Sequence, residues 1–279
     1  MDCNGWIVVT GANSGMGRVL AESLVKRGYR VIMACRNLPR SEPVYRELAA
    51  GCPDRVRLLR LDLSSFDSII SFTGILDEEN IRVSVLVNNA GVMNRDFLLT
   101  QDGFEQNLGI NYLAPFLLTC RLLPLIPRGG HILNIASCTY RLGKVSKHMF
   151  VPDVCNYDRF RSYSTSKQAL ILFSLELAQR LGDSGIMVNA VDPGVVDTGI
   201  ITMHRWFDPL TDIFFRPLIL SPEQGISRTL RLIIGDVPEN ISGMYWGRKR
   251  PIRLSSKILH HPYRKNLWAD TEKVLRPWL

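Results

Sequence analysis

The opening of the chain narrows the fold most. A β-branched run at residues 6–10 is followed by glycines at 11, 15 and 17, then by an amphipathic stretch, residues 18–27, that stops at Gly28. Residues that favour a pleated strand, residues free to turn sharply and a helical apolar period read as strand, tight turn and helix. Further apolar runs at residues 30–34, 56–61, 83–87, 131–136 and 187–191 are separated by segments of helical length at 40–50, 65–79, 104–126 and 163–181, and residues 244–246 could close the series. Strands alternating with helices need right-handed crossovers, so the expectation is a parallel sheet covered on both faces.

With 279 residues and no composition break, linker or internal repeat, one domain over residues 1–279 is expected. A content of 46% hydrophobic and 22% charged residues excludes a disordered chain, a collagen-like repeat and a coiled coil. No apolar run approaches the ~18 residues that span a bilayer, and residues 6–9 are too short for a signal-peptide core, so a soluble, cytoplasmic protein is expected.

The formal net charge is +8, and residues 244–279, with nine Lys/Arg against Asp270 and Glu272, hold +7 of it. This basic C-terminal extension has neither zinc-finger spacing nor an RNA-recognition signature, so no nucleic-acid partner is expected. It reads as solvated surface, with peripheral contact to an anionic membrane, helped by Trp268 and Trp278, as the other use for it. The six cysteines never form a C-x-x-C pair and read as reduced thiols. The histidines show no ligand spacing, and no metal is expected.

In the turn Thr10-Gly11-Ala12-Asn13-Ser14-Gly15-Met16-Gly17 the glycines allow close backbone approach, so that a pyrophosphate can rest on the free N–H groups of the following helix. The spacing is G-x-x-x-G-x-G, and the turn lies in the first βα unit, where strand order reverses in doubly wound folds. The second strand runs into Ala34-Cys35-Arg36-Asn37 with no carboxylate for the adenosine ribose hydroxyls. A planar guanidinium suits a 2′-phosphate instead, so Arg36 favours NADP(H) over NAD(H).

Tyr163-Ser164-Thr165-Ser166-Lys167 sets a phenol and an amine one turn apart on one helix face. Acting near pH 7 asks a phenol to give up roughly 3 pKa units, or ~4 kcal/mol, and an ammonium about 5 Å away supplies ~3 kcal/mol, so Lys167 is expected to lower the pKa of Tyr163. Ser137 ends the fifth strand, at the sheet edge where open α/β folds bind ligands, although a turn or cap serine would look the same. Asn88-Asn89-Ala90-Gly91 ends the fourth strand. Asn111 lies among apolar residues, where it would bend its helix or face solvent.

Taken together, Thr10 to Gly17, Asp62-Leu63, Asn88 to Gly91, Asn111, Ser137, Tyr163 with Lys167, and Pro193-Gly194 with Thr198 resemble the short-chain dehydrogenase/reductase family over essentially the whole chain. The resemblance implies a doubly wound Rossmann fold with a mostly parallel seven-stranded sheet, and NAD(P)-dependent interconversion of alcohols and carbonyls. It implies a catalytic tetrad of Asn111, Ser137, Tyr163 and Lys167, with Tyr163 exchanging the proton, Ser137 holding the oxyanion, Lys167 holding the nicotinamide ribose and Asn111 holding a water. Asp62 would contact the adenine, with Leu63 beside it. Asn89, Ala90 and Gly91 would support the cofactor, Pro193, Gly194 and Val196 would border the nicotinamide, and Thr198 would bind its carboxamide. Relatives are commonly dimers or tetramers, so a homo-oligomer is expected.

Ala34-Cys35-Arg36-Asn37, the 26 positions from Ser137 to Tyr163 and residues 242–246 are most similar to the retinol-dehydrogenase-like branch, whose members often carry an N-terminal membrane helix that this sequence does not show. Residues 198–221, with Trp206, Phe207, Phe214 and Phe215, read as a lid over a bulky apolar lipid-, steroid- or retinoid-like substrate, or as aromatics that merely cover the core. A catalytically silent NADP(H) sensor or scaffold is the rival. An intact Ser, Tyr and Lys set argues against it, and a methyltransferase has no need of that set.

Overall fold

The computed structural model describes residues 5–196, 220–235 and 241–279. Thr198 and nearly all of the expected lid lie outside them. Seven strands, β1 (Trp6–Thr10), β2 (Arg30–Cys35), β3 (Val56–Arg60), β4 (Val83–Asn88), β5 (His131–Ile135), β6 (Met187–Val191) and β7 (Met244–Trp246), form one sheet in the order β3-β2-β1-β4-β5-β6-β7. Every pairing is parallel. The order reverses between β1 and β4, so the carboxyl ends of those strands part and open a crevice.

Alternate residues of one strand feed two cores. Ile7 and Val9 of β1 join α1 (Gly15–Val25), α2 (Leu38–Ala49) and α7 (Pro222–Ile233) on one face. Trp6 and Val8 join α3 (Phe66–Glu78), α5 (Ala114–Leu122) and α6 (Arg159–Leu181) on the other. Burial on both faces explains why the strands read as near-continuous apolar runs.

Two expected helices differ in detail. The stretch expected as one helix over 104–126 is divided into α4 (Gln106–Leu108), a π-helical turn (Gly109–Leu113), α5 and a 3₁₀ turn (Leu123–Leu125). Counting its polar residues, Gln106–Leu125 is long and apolar enough to cross a membrane, but most of it is buried against the sheet and α6. Helix α6 begins at Arg159, a full turn before the expected start, because the Asp158 side chain caps it by accepting from the Arg161 N–H at 2.6 Å. That turn brings Arg159 onto the helix that carries Tyr163.

The C-terminal extension packs Trp268 into the core and Trp278 against its edge. Helices α8 (Ser256–Leu259) and α9 (Arg264–Leu275) fold back on the α5/α6 face. Trp268 is buried, its ring 4.8 Å from that of Phe116 and stacked on Phe173, and the Arg180 guanidinium lies 4.2 Å from it. The Tyr112 and Thr271 hydroxyls share a 2.7 Å hydrogen bond, and Trp278 sets its edge against Phe66. The Trp268 ring, inside the core, is withdrawn from any lipid surface, whereas Trp278 is only half-buried.

Candidate active site

The glycine turn occupies the crevice between β1 and β4. Gly11 and Gly15 hold φ of +67° and +50°, where a side chain would be strained. A Cβ on Gly17 would come within 2.3 Å of the Gly11 carbonyl oxygen and 2.6 Å of Asn89 Nδ2. Helix α1 starts here with no capping hydrogen bond from Ser14 and no acidic residue in its first turn. Its first amides have no intrahelical partner and are open to an anion. Thr10 ties the turn to β4: its hydroxyl accepts from the N–H groups of Asn89 and Ala90 at 2.9 Å, and Asn89 Nδ2 donates to the Thr10 carbonyl oxygen at 2.8 Å.

Around this turn lies a cleft of about 290 Å³, and it brings together Gly11, Asn13, Ser14, Gly15, Met16, Gly17, Arg36, Asn37, Asp62, Leu63, Asn89, Ala90 and Gly91. Asp62 is buried and accepts from the Ser64 N–H and hydroxyl at 2.9 and 2.7 Å. The cleft adds Arg40, which the sequence reading missed. Its signal was a second arginine one turn after Arg36. Asn37 fixes that turn by capping α2 through the Arg40 N–H at 2.9 Å.

The cleft continues into a cavity of about 240 Å³ through the shared residues Met16, Asn89 and Gly91. Ser137, Tyr163, Lys167, Pro193, Gly194 and Val196 line this second space, joined by Met93, Cys138, Arg159, Phe160 and Val195, which the sequence reading had not singled out. Ser137 sits where β5 ends and a 3₁₀ turn (Cys138–Leu142) begins, its Oγ accepting from the Thr139 hydroxyl at 3.0 Å. Lys167 is buried, and its Nζ donates to the Ile135 carbonyl oxygen at 2.8 Å, 5.7 Å from the centre of the Tyr163 ring.

The expected lowering of the Tyr163 pKa is not found. Burial pushes the phenol up to about 12, with the Asp192 charge in the same direction and the Ser137 hydroxyl opposing it. Burial likewise pushes the Lys167 ammonium down to about 8. The cost of removing both groups from water exceeds the attraction between their charges.

Asn111 neither faces solvent nor merely bends a helix. It lies buried in the π-helical turn, accepts from the Val92 N–H at 2.8 Å, and donates to the Val92 carbonyl at 2.8 Å and the Ser166 hydroxyl at 3.0 Å. Three of the four hydrogen bonds available to its amide are taken. It braces the loop after β4 against α6.

A doubly wound parallel sheet with a glycine cradle and a Ser/Tyr/Lys cluster at its switch point defines a dinucleotide-dependent oxidoreductase class. The family model for short chain dehydrogenase matches residues 5–205, and the chain belongs to that family, whose members bind a nicotinamide cofactor. Mouse retinol dehydrogenase 13 is 35% identical over 277 residues, covering 96% of this chain and 83% of that one. A crystal structure of an uncharacterized protein from Mycobacterium paratuberculosis superposes with a TM-score of 0.78 at 28% identity, over 98% of this chain and 94% of that one. A short chain dehydrogenase from Burkholderia cenocepacia, solved in complex with NADP, shares the fold with a TM-score of 0.69 at 24% identity, over 87% and 95% of the two chains.

Proposed function

We propose that the protein is an NADP(H)-dependent alcohol dehydrogenase/carbonyl reductase for bulky, largely apolar substrates. The observation that carries this is the convergence of Ser137, Tyr163 and Lys167 in one cavity that opens into the glycine cleft. The cleft suits a dinucleotide: a side chain on Gly17 would fill the cradle, the first-turn amides of α1 are uncapped, and Arg36 and Arg40 offer cations for a 2′-phosphate. The apolar wall of the second cavity, Met93, Phe160, Val195 and Val196 among it, supports an apolar substrate, as does the similarity to mouse retinol dehydrogenase 13.

The nicotinamide group, when bound, supplies hydride exchange with carbon. The chain's own residues manage the oxygen. Ser137 Oγ donates a hydrogen bond to the carbonyl oxygen as it gains negative charge. Tyr163 donates the proton to that oxygen, and its raised pKa keeps it in the donor form at pH 7. Lys167, anchored by the Ile135 carbonyl, holds the nicotinamide ribose. Reduction starts from a protonated phenol and runs across neutral pH. Oxidation must start from phenolate and gains as pH rises.

The test is turnover of apolar aldehydes and ketones followed through the absorbance of reduced cofactor. Tyr163→Phe should lose at least ~10²-fold in kcat while still binding NADPH. Retention of most turnover in that variant would remove the assignment.

A further inference from the structure

Arg159, Tyr163 and Lys167 recur every four residues along α6, so that all three lie on one helix face and line one cavity. The helical rise sets Arg159 about 6 Å from Tyr163 along the axis, on the side away from Lys167. Lys167 Nζ lies beside Gly91, which borders both the glycine cleft and this cavity, and Arg159 stands two helical turns away from it. The cavity's other polar side chains are Asn89, Ser137, Cys138, Thr139, Tyr163 and Lys167, and the rest of its wall includes the apolar side chains of Met93, Phe160 and Val195.

The Arg159 guanidinium is not engaged as a structural arginine would be. Its Nε is buried and has no hydrogen-bond partner among the described residues. Among the described residues no carboxylate forms an ion pair with it, and its ring contact is with the neighbouring Phe160, 5.7 Å away. A buried donor without an acceptor is costly, and an anion brought in by a ligand relieves that cost.

We infer that Arg159 is a specificity residue for substrates that carry a carboxylate, so that the preferred substrate class is an apolar oxo acid, or the matching hydroxy acid, with its acid group about one helical turn from the reacting carbon. This rests on the oxidoreductase reading and narrows it: the apolar wall takes the hydrocarbon, the phenol meets the carbonyl and the guanidinium takes the acid. Arg159 acts through binding and exchanges no proton.

The experiment compares a medium-chain γ-oxo acid with its methyl ester, using NADPH, in the wild type, Arg159→Gln and Arg159→Lys. The wild type should favour the acid at least ten-fold in kcat/KM. In Arg159→Gln the acid-to-ester ratio should fall at least ten-fold, mainly through KM for the acid, and Arg159→Lys should keep part of the preference. A wild type that takes the ester as well as the acid, or a ratio unchanged in Arg159→Gln, overturns the inference. Should neither compound turn over, the oxidoreductase reading falls only if the aldehydes and ketones of the preceding test are not turned over either. The Arg159 assignment is then decided by calorimetric titration of the NADPH-loaded protein with decanoate and methyl decanoate. Tighter binding of decanoate that is lost in Arg159→Gln upholds it, and equal or absent binding of the two overturns it.

Discussion

The side chain of Asn111 forms two hydrogen bonds with the backbone of Val92, accepting from its N–H and donating to its carbonyl, each at 2.8 Å. A buried amide here replaces a strand partner for a loop that has left the sheet. Truncation orphans the Val92 groups and removes a donor from Ser166. Asn111→Ala should therefore lower unfolding stability by about 2–4 kcal/mol, measured by urea denaturation. A loss below about 0.5 kcal/mol would show that the brace is dispensable.

Gly17 faces the Gly11 carbonyl oxygen so closely that a methyl group would lie 2.3 Å from it. Backbone cannot yield as a flexible side chain does. Gly17→Ala should weaken NADPH binding by about 100-fold or more, because the turn must open and the amides of α1 lose their aim. Fluorescence titration with NADPH reads this directly, and unchanged affinity would show that the dinucleotide does not use this cradle.

Arg36 and Arg40 line the same end of the cleft. If they hold a 2′-phosphate, Arg36→Ala should reduce NADPH affinity by roughly 10- to 100-fold and leave NADH nearly untouched, and the double variant with Arg40→Ala should reverse the preference. Equal losses for both nucleotides would mean that the arginines act only as general surface charge.

His131 is buried in β5 and shares a 2.8 Å contact with Asn189 Nδ2, which donates to Nε2 when the ring is neutral. Burial pushes its pKa down from 6.5 to about 4. Between those values the unfolded chain binds a proton that the folded chain refuses, so stability is full above pH 6.5 and falls as pH drops toward 4, by about 3 kcal/mol in all. Comparing urea midpoints at pH 7 and pH 4.5 for the wild type and His131→Leu checks this: the variant should lose this part of the acid sensitivity.

Much of the architecture was legible because its signals are local. The apolar runs of β1, β2, β4, β5 and β6 fell within a residue of the observed strands, and the turn from Thr10 to Gly17 announced both a bend and a cradle. The 104–126 stretch misled because apolar residues on all sides hide a helical period, so the π-helical turn that tucks in Asn111 left no mark. Arg159 was missed because the helix start depended on the Asp158 cap, which the sequence reading did not weigh.

The order of residues alone settled the alternation of strand and helix, the glycine spacing at the first turn and the four-residue interval between Tyr163 and Lys167, since each is a relation between near neighbours. Tertiary structure decided what a distant chain segment brings: α9 buries Trp268 against Phe116 and Phe173, and packing around Tyr163 and Lys167 raises one pKa and lowers the other. Solvent is displaced by the whole fold, and neither its exclusion nor the sign of the shifts that follow can be written in a short span of sequence.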